Sequence, residues 1–238
     1  MYYIAKITLK SLFKYLLNQK TSSFKKSYSQ CGEDLIIDYV FKLRGIKTPT
    51  YLDVGANEPF TLNNTAYFYE KGSRGVNIDA NPFLIDKFNI LRPDDININV
   101  GIYDKDDSLN FYILNDHTLS TFSKEEAVIV TRNSKYYIKE VFQVNVVRLN
   151  SIFEKYFNDS APDLLSIDVE GLDFEIIKSL DFSKYKPKVI CIEAAEYSPI
   201  GAGKRKSELI NYIMDNGYYE YANTNLNAIL VLKEFWFI

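Results

Sequence analysis

With 238 residues, 47% of them hydrophobic and 25% charged, the chain carries enough apolar material for one α/β domain with a sizeable core, which excludes disorder as a description of the whole. A formal net charge of -3 argues against nucleic acid as the main partner, because duplex binding draws on a strongly basic surface. Cys31 and Cys191 lie too far apart in sequence for a disulfide framework or a zinc-ligand pattern, which points to a reducing cytoplasm; His117, the sole histidine, excludes a multi-histidine metal centre.

Residues 1–29 form a leading segment. Ile4, Ile7, Leu12, Leu16 and Leu17 recur at helical spacing, and Lys6, Lys10 and Lys14 mark another face. The lysines interrupt any signal-peptide core, and no run of about eighteen apolar residues spans a bilayer. A basic amphipathic helix over residues 1–20 either packs on the domain or a second subunit of a homo-oligomer, or lies on the inner face of a membrane.

The main domain, residues 30–238, alternates helix and strand. The pattern predicts a helix at Glu33–Lys42, a strand at Tyr51–Val54, a helix at Asn63–Glu70, a strand at Gly75–Ile78, a helix at Pro82–Leu91 and a strand at Ile96–Val100. Residues 103–150 read as less regular, with strands at Leu109–Leu114 and Phe142–Val147 around a mobile or helical insertion at Thr118–Thr131. Alternation resumes with a strand at Leu164–Val169, a helix at Phe174–Leu180, a strand at Lys188–Ile192 and a helix at Lys204–Asn216. A hairpin of Tyr218–Tyr221 and Ala228–Leu232 closes the chain. This order implies a Rossmann-like, doubly wound sheet, mostly parallel, with ligand at the carboxyl ends of its first strands.

Three strand ends carry the chemistry. In Tyr51-Leu-Asp-Val-Gly-Ala-Asn57, Gly55 permits a sharp turn and close backbone approach, and Asp53 is placed to meet an ammonium group. With one glycine, Asp53 and Glu58, this turn suits a cationic aminoacyl sulfonium better than a diphosphate, which calls for G-x-G-x-x-G; an ordinary strand-to-helix turn is the plain alternative. Asp79 ends the next strand, where a carboxylate takes the two hydroxyls of a ribose or caps the following helix. In Leu165-Ser-Ile-Asp-Val-Glu-Gly171, Asp168 and Glu170 lie two apart, so strand geometry aims both one way; with Glu193 they form a candidate Mg²⁺ or Mn²⁺ site or act on a substrate hydroxyl. Asp173 and Glu196 reach the same rim, where capping or lysine pairing is the plainer role. His117, in the irregular segment, is a candidate base or substrate contact by virtue of its pKa range.

LDVGAN, IDANP, LLSIDVEGLDFEIIKSL and NTNLNAILV, in this order and over about residues 30–232, resemble the landmarks of the FkbM family of methyltransferases. SQCGEDLIIDYVF and NNTAYFYEKGSRGVNID are similar to a branch associated with bacterial surface-glycan gene clusters. The resemblance implies a Class I methyltransferase fold with a seven-stranded sheet and a C-terminal antiparallel hairpin. It also implies S-adenosylmethionine as donor and an oxygen acceptor on a sugar, whether nucleotide-linked, lipid-linked or polymeric. The cofactor roles fall on Asp53, Gly55, Ala56, Asn57, Asp79 and Ala80, and Asp168 falls near the transfer centre. Glu58 stands where the family commonly has glycine, and Asp79-Ala-Asn-Pro82 replaces its usual Glu-Pro pair, so Glu58 is expected to reshape the aminoacyl pocket. Two other classes stay open: a noncatalytic donor-binding subunit and an NAD-type oxidoreductase on the same fold.

Overall fold

The computed structural model describes residues 25–132, 134–198 and 203–237. The helix expected over residues 1–20 lies outside them. Among the described residues no helix is long and apolar enough to cross a membrane.

Seven strands form the main sheet: β1 (Tyr51–Val54), β2 (Gly75–Asp79), β3 (Ile96–Asn99), β7 (Leu164–Ile167), β8 (Val189–Glu193), β9 (Tyr218–Asn223) and β10 (Asn227–Leu232), in the order β3-β2-β1-β7-β8-β10-β9. All run parallel except β10, which pairs antiparallel with both β8 and β9. The closing hairpin produces this exception, since β10 returns from its turn and inserts beside β8. This is the expected Class I methyltransferase sheet.

Side-chain alternation along the strands divides the core between the two faces. Leu52, Val54, Leu165, Ile167, Ile190 and Ile192 face one way, toward α5 (Leu149–Tyr156), α6 (Asp173–Ser179) and α7 (Ser207–Asp215). Tyr51, Leu164, Val189, Cys191, Ile229 and Val231 face the other, against α1 (Glu33–Leu43) and the flank of the closing α8 (Lys233–Trp236). Both faces are covered, which is why these strands read as nearly continuous apolar runs.

Two further helices follow the strands on the other side of β1. The helix α2 (Ala66–Glu70) is shorter than the sequence predicts, because Asn63 stays outside it and its Oδ1 accepts from the Thr65 and Ala66 amides at 3.0 and 2.7 Å. The helix α3 (Pro82–Leu91) matches its predicted bounds; Asn81 caps it by accepting from the Phe83 amide, and Pro82 occupies a first-turn position where no amide is needed.

Residues 101–148 are more regular than expected. They build a second sheet of β4 (Gly101–Tyr103), β5 (Asp107–Leu114) and β6 (Ile138–Arg148), ordered β4-β6-β5. The expected insertion is a 3-10 turn at His117–Leu119 followed by α4 (Lys124–Thr131), capped by Ser123. Helix α5 was not anticipated, because its apolar residues continue directly from the strand pattern of β6.

Candidate functional site

The chain runs outward from β1 to β2 and β3, then returns to β7 on the other side of β1, leaving a crevice beyond the carboxyl ends of β1 and β7. A cavity of about 360 Å³ opens there, within the range of small-molecule sites. Asp53, Gly55, Ala56, Asn57, Asp79 and Ala80 all line it, as do His117, Asp168, Glu170 and Glu193. The sequence-predicted residues therefore converge on one space, apart from Glu58.

The glycine turn is shaped by its neighbour strand. Gly55 has φ +77°, and its amide and that of Ala56 donate to the Ile78 carbonyl at 2.9 and 3.0 Å. A Cβ on Gly55 would stand 1.8 Å from the Asp168 carbonyl oxygen. The close approach anticipated for a ligand is thus made to the protein's own β7 end.

Asp53 is buried and held through Oδ2 by Asn63 Nδ2 at 3.0 Å and Thr65 Oγ1 at 2.8 Å. Burial raises its pKa, while the Arg92 charge and the bonds from Thr65, Ser166 and Asn63 oppose the rise. Asp79 accepts the Asn57 amide on Oδ2 at 2.9 Å and the Asn81 amide on Oδ1 at 2.7 Å. The capping duty belongs to Asn81, and Asp79 instead ties the glycine turn to the start of α3. Burial pushes Asp79 up to about 6 against these two amides.

Beside Asp79 the wall turns apolar, with Ala80, Leu84, Ile102, Phe111 and Phe122; the last two rings lie 4.8 Å apart. The two rings pack on each other and present an apolar face that suits a flat heteroaromatic ring. Asn57, at φ +54°, lines the cavity and its Oδ1 is buried without a hydrogen-bond partner among the described residues, an acceptor with capacity to spare. These features fit an adenosyl group with an aminoacyl arm.

Glu58 does not line the cavity. Its Oε1 is ion-paired with Lys87 of α3 and lies 3.1 Å from His117 Nε2. His117 is thereby anchored on the Asp79 side of the cavity, close enough for its charge to lower that acid's pKa.

At the other end Asp168, Glu170 and Glu193 bring carboxylate oxygens within 4.8 Å of one another. Strand alternation does not align the first two: β7 stops at Ile167, and Glu170 and Gly171 turn the chain at φ +53° and +105°. Thr121 Oγ1 donates to the Glu170 carbonyl at 2.5 Å, fastening this turn to the segment that roofs the cavity. Asp168 stays open to the cavity although it lies deep in the fold. Burial and then Asp173 push Asp168 up to about 7; burial, Asp168 and Asp173 push Glu193 up to about 8, against Lys206; burial and Asp168 raise Glu170 well above the usual range.

Lys206, not expected in the site, completes this corner together with Asp173, whose expected pairing with a lysine it supplies. The Lys206 ammonium pairs with Glu193 and, at 3.1 Å, with Asp173, whose other oxygen accepts the Val169 amide. Asn63, Thr65 and Arg92, which no sequence signal marked, form the hydrogen-bonded support around Asp53. Gln30, Asn64 and Asn227 add an amide-rich wall. Among the described residues the cavity is lined by Asp53, Asp79, Asp168, Glu170, Glu193 and Glu196 and by no lysine or arginine.

Solved structures of similar shape include a TehB-like SAM-dependent methyltransferase from Corynebacterium glutamicum (10% identity, 94% of this chain and 97% of that one, TM-score 0.44). An O-methyltransferase from Bacillus cereus in complex with SAH gives 8% identity, 97% and 94% coverage and TM-score 0.43. The 1,6-didemethyltoxoflavin-N1-methyltransferase from Burkholderia thailandensis gives 9% identity, 94% and 85% coverage and TM-score 0.43. Among curated proteins no sequence matches the chain. The family model of the methyltransferase FkbM domain matches residues 53–219, from the acid of the glycine turn through the start of the closing hairpin. With more than half of its length under that match, the chain belongs to the FkbM-domain methyltransferases.

Proposed function

We propose that this methyltransferase moves a methyl group from S-adenosylmethionine to a sugar hydroxyl during bacterial surface-polysaccharide assembly, in the cytoplasm or at the inner membrane face. The observation that carries the donor is the acid-lined, lysine- and arginine-free cavity at the β1/β7 crevice. A sulfonium and an ammonium gain from such a wall, whereas a diphosphate between several carboxylates is repelled. The same observation weighs against an NAD-type oxidoreductase.

When bound, S-adenosylmethionine supplies an electrophilic methyl carbon on a positively charged sulfur. Asp53 would face the ammonium of the aminoacyl arm, Asp79 would take ribose hydroxyls with its remaining lone pairs, and the apolar face of Leu84, Phe111 and Phe122 would lie against the purine. Asp168 would accept the proton that the acceptor hydroxyl loses as its oxygen bonds to the methyl carbon and the methyl–sulfur bond breaks, the electron pair staying on the sulfur of the departing S-adenosylhomocysteine, and Glu170, with a carboxylate oxygen within 4.8 Å, would share the proton. A carboxylate raised to about 7 is well matched to that duty near neutrality. His117, oriented by Glu58, contacts the donor or acceptor from the roof.

The 4.8 Å cluster favours a second reading of the same corner, in which Asp168, Glu170 and Glu193 hold Mg²⁺ or Mn²⁺. Such an ion would lower the pKa of a coordinated sugar hydroxyl. Labelled donor incubated with nucleotide sugars and lipid-linked oligosaccharides, with and without divalent metal, tests both. Label in one sugar product supports the function; no transfer to any glycan, despite bound donor, favours a noncatalytic subunit. Turnover unchanged after exhaustive chelation removes the metal.

A further inference from the structure

Arg92 is fully buried and lies outside the cavity lining, yet its guanidinium reaches the residues that hold Asp53. Its Nη2 donates to Thr65 Oγ1 at 3.0 Å and Tyr51 Oη at 2.9 Å, and its Nη1 donates to Asn63 Oδ1 at 3.2 Å. Asp95 neutralises it, accepting from Nε at 2.9 Å.

Arginine donates and never accepts, so these bonds have a fixed sense. Thr65 Oγ1, having accepted from Arg92, points its single proton at the acceptors on its other side, Asp53 Oδ2 at 2.8 Å and Asn63 Oδ1 at 3.0 Å. Asn63 Oδ1, which accepts from Arg92 as well as from the Thr65 and Ala66 amides, leaves Nδ2 to donate to Asp53 Oδ2 and to the Ala56 carbonyl, each at 3.0 Å. Both relays end on one carboxylate oxygen, and one also ends on the glycine turn.

We propose that Arg92 is a positioning residue for the donor's aminoacyl arm, acting through Thr65 and Asn63 to hold Asp53 charged and oriented toward the donor's ammonium. This rests on the reading of the cavity as an S-adenosylmethionine site. Arg92 itself touches no ligand. Its charge is the largest influence opposing the protonation that burial would impose on Asp53.

Replacing Arg92 strands Asp95 in the core, so the decisive variant is Thr65→Val, which removes one relay at nearly constant volume and leaves the Arg92–Asp95 pair intact. Calorimetric titration would use two probes: S-adenosylhomocysteine, which carries the aminoacyl arm, and 5′-methylthioadenosine, which lacks it. T65V is expected to bind S-adenosylhomocysteine at least tenfold more weakly, to bind 5′-methylthioadenosine within twofold of the parent, and to regain affinity as Thr65→Ser. Equal loss for both probes would show a merely structural role and overturn the proposal, as would unchanged binding of both. If the parent protein binds neither probe, the cofactor reading fails instead.

Discussion

The backbone carbonyl oxygen of Asp168 lies within 1.8 Å of the place that a Cβ on residue 55 would need, so Gly55 is required there whatever side chain residue 168 carries. Asp168 also donates its amide to the Val54 carbonyl at 3.0 Å, which locks the two strand ends together. Substitution of Gly55 by alanine therefore meets both a backbone collision and a left-handed φ. Gly72 offers the control, with φ +92° and nothing within 4 Å of an added Cβ. Gly72→Ala is expected to cost about 1 kcal/mol and Gly55→Ala at least about 3 kcal/mol, read as urea midpoints. Equal losses would show that the contact with Asp168 is immaterial.

Asp79 holds two backbone amides, one on each oxygen. In Asp79→Asn one of those amides must face an NH₂ group, so the glycine turn and the start of α3 lose a tie. Binding of S-adenosylhomocysteine should weaken about tenfold or more. Retained affinity would mean that neither the ribose contact nor the tie matters.

The carboxylate corner makes stability depend on pH. In the fold, Asp168 and Glu193 bind protons up to about 7 and about 8, whereas in the unfolded chain such groups have released them by about pH 5. The folded state therefore holds more protons across this interval. Its stability falls as pH rises from about 5 to about 8 and levels off above. Urea midpoints should drop between pH 5.5 and 8.5, and the drop should shrink in Glu193→Gln and Asp168→Asn. A drop unaltered in both variants would assign it to other groups.

Asp168 and His117 separate by their partners. His117 Nε2 is engaged by Glu58, while Asp168 opens to the cavity. Asp168→Asn is expected to reduce methyl transfer by about 10² to 10⁴, and His117→Ala by about tenfold. In the parent protein kcat/KM should climb through pH 7 as the base ionises. The reverse order of losses would make His117 the base.

The sequence by itself determined the strands of the main sheet and the glycine turn at which β1 ends. Alternation of side chains, the glycine after Val54 and the proline opening α3 are local signals, since they act through a residue's own backbone and its nearest neighbours. They were enough to nominate Asp53, Asp79, Asp168, Glu170 and Glu193. Only the tertiary structure decided how these acids are partnered. Arg92 reaches Asp53 through Asn63 and Thr65, Lys206 joins Glu193 to Asp173, and Glu58 turns from the pocket to Lys87 and His117. The second sheet was missed for a related reason: β4 begins just after β3, and only its pairing with distant β6 separates the two sheets. Such contacts join residues tens of positions apart, and chain closure through the parallel crossovers creates them, so no local pattern could encode them.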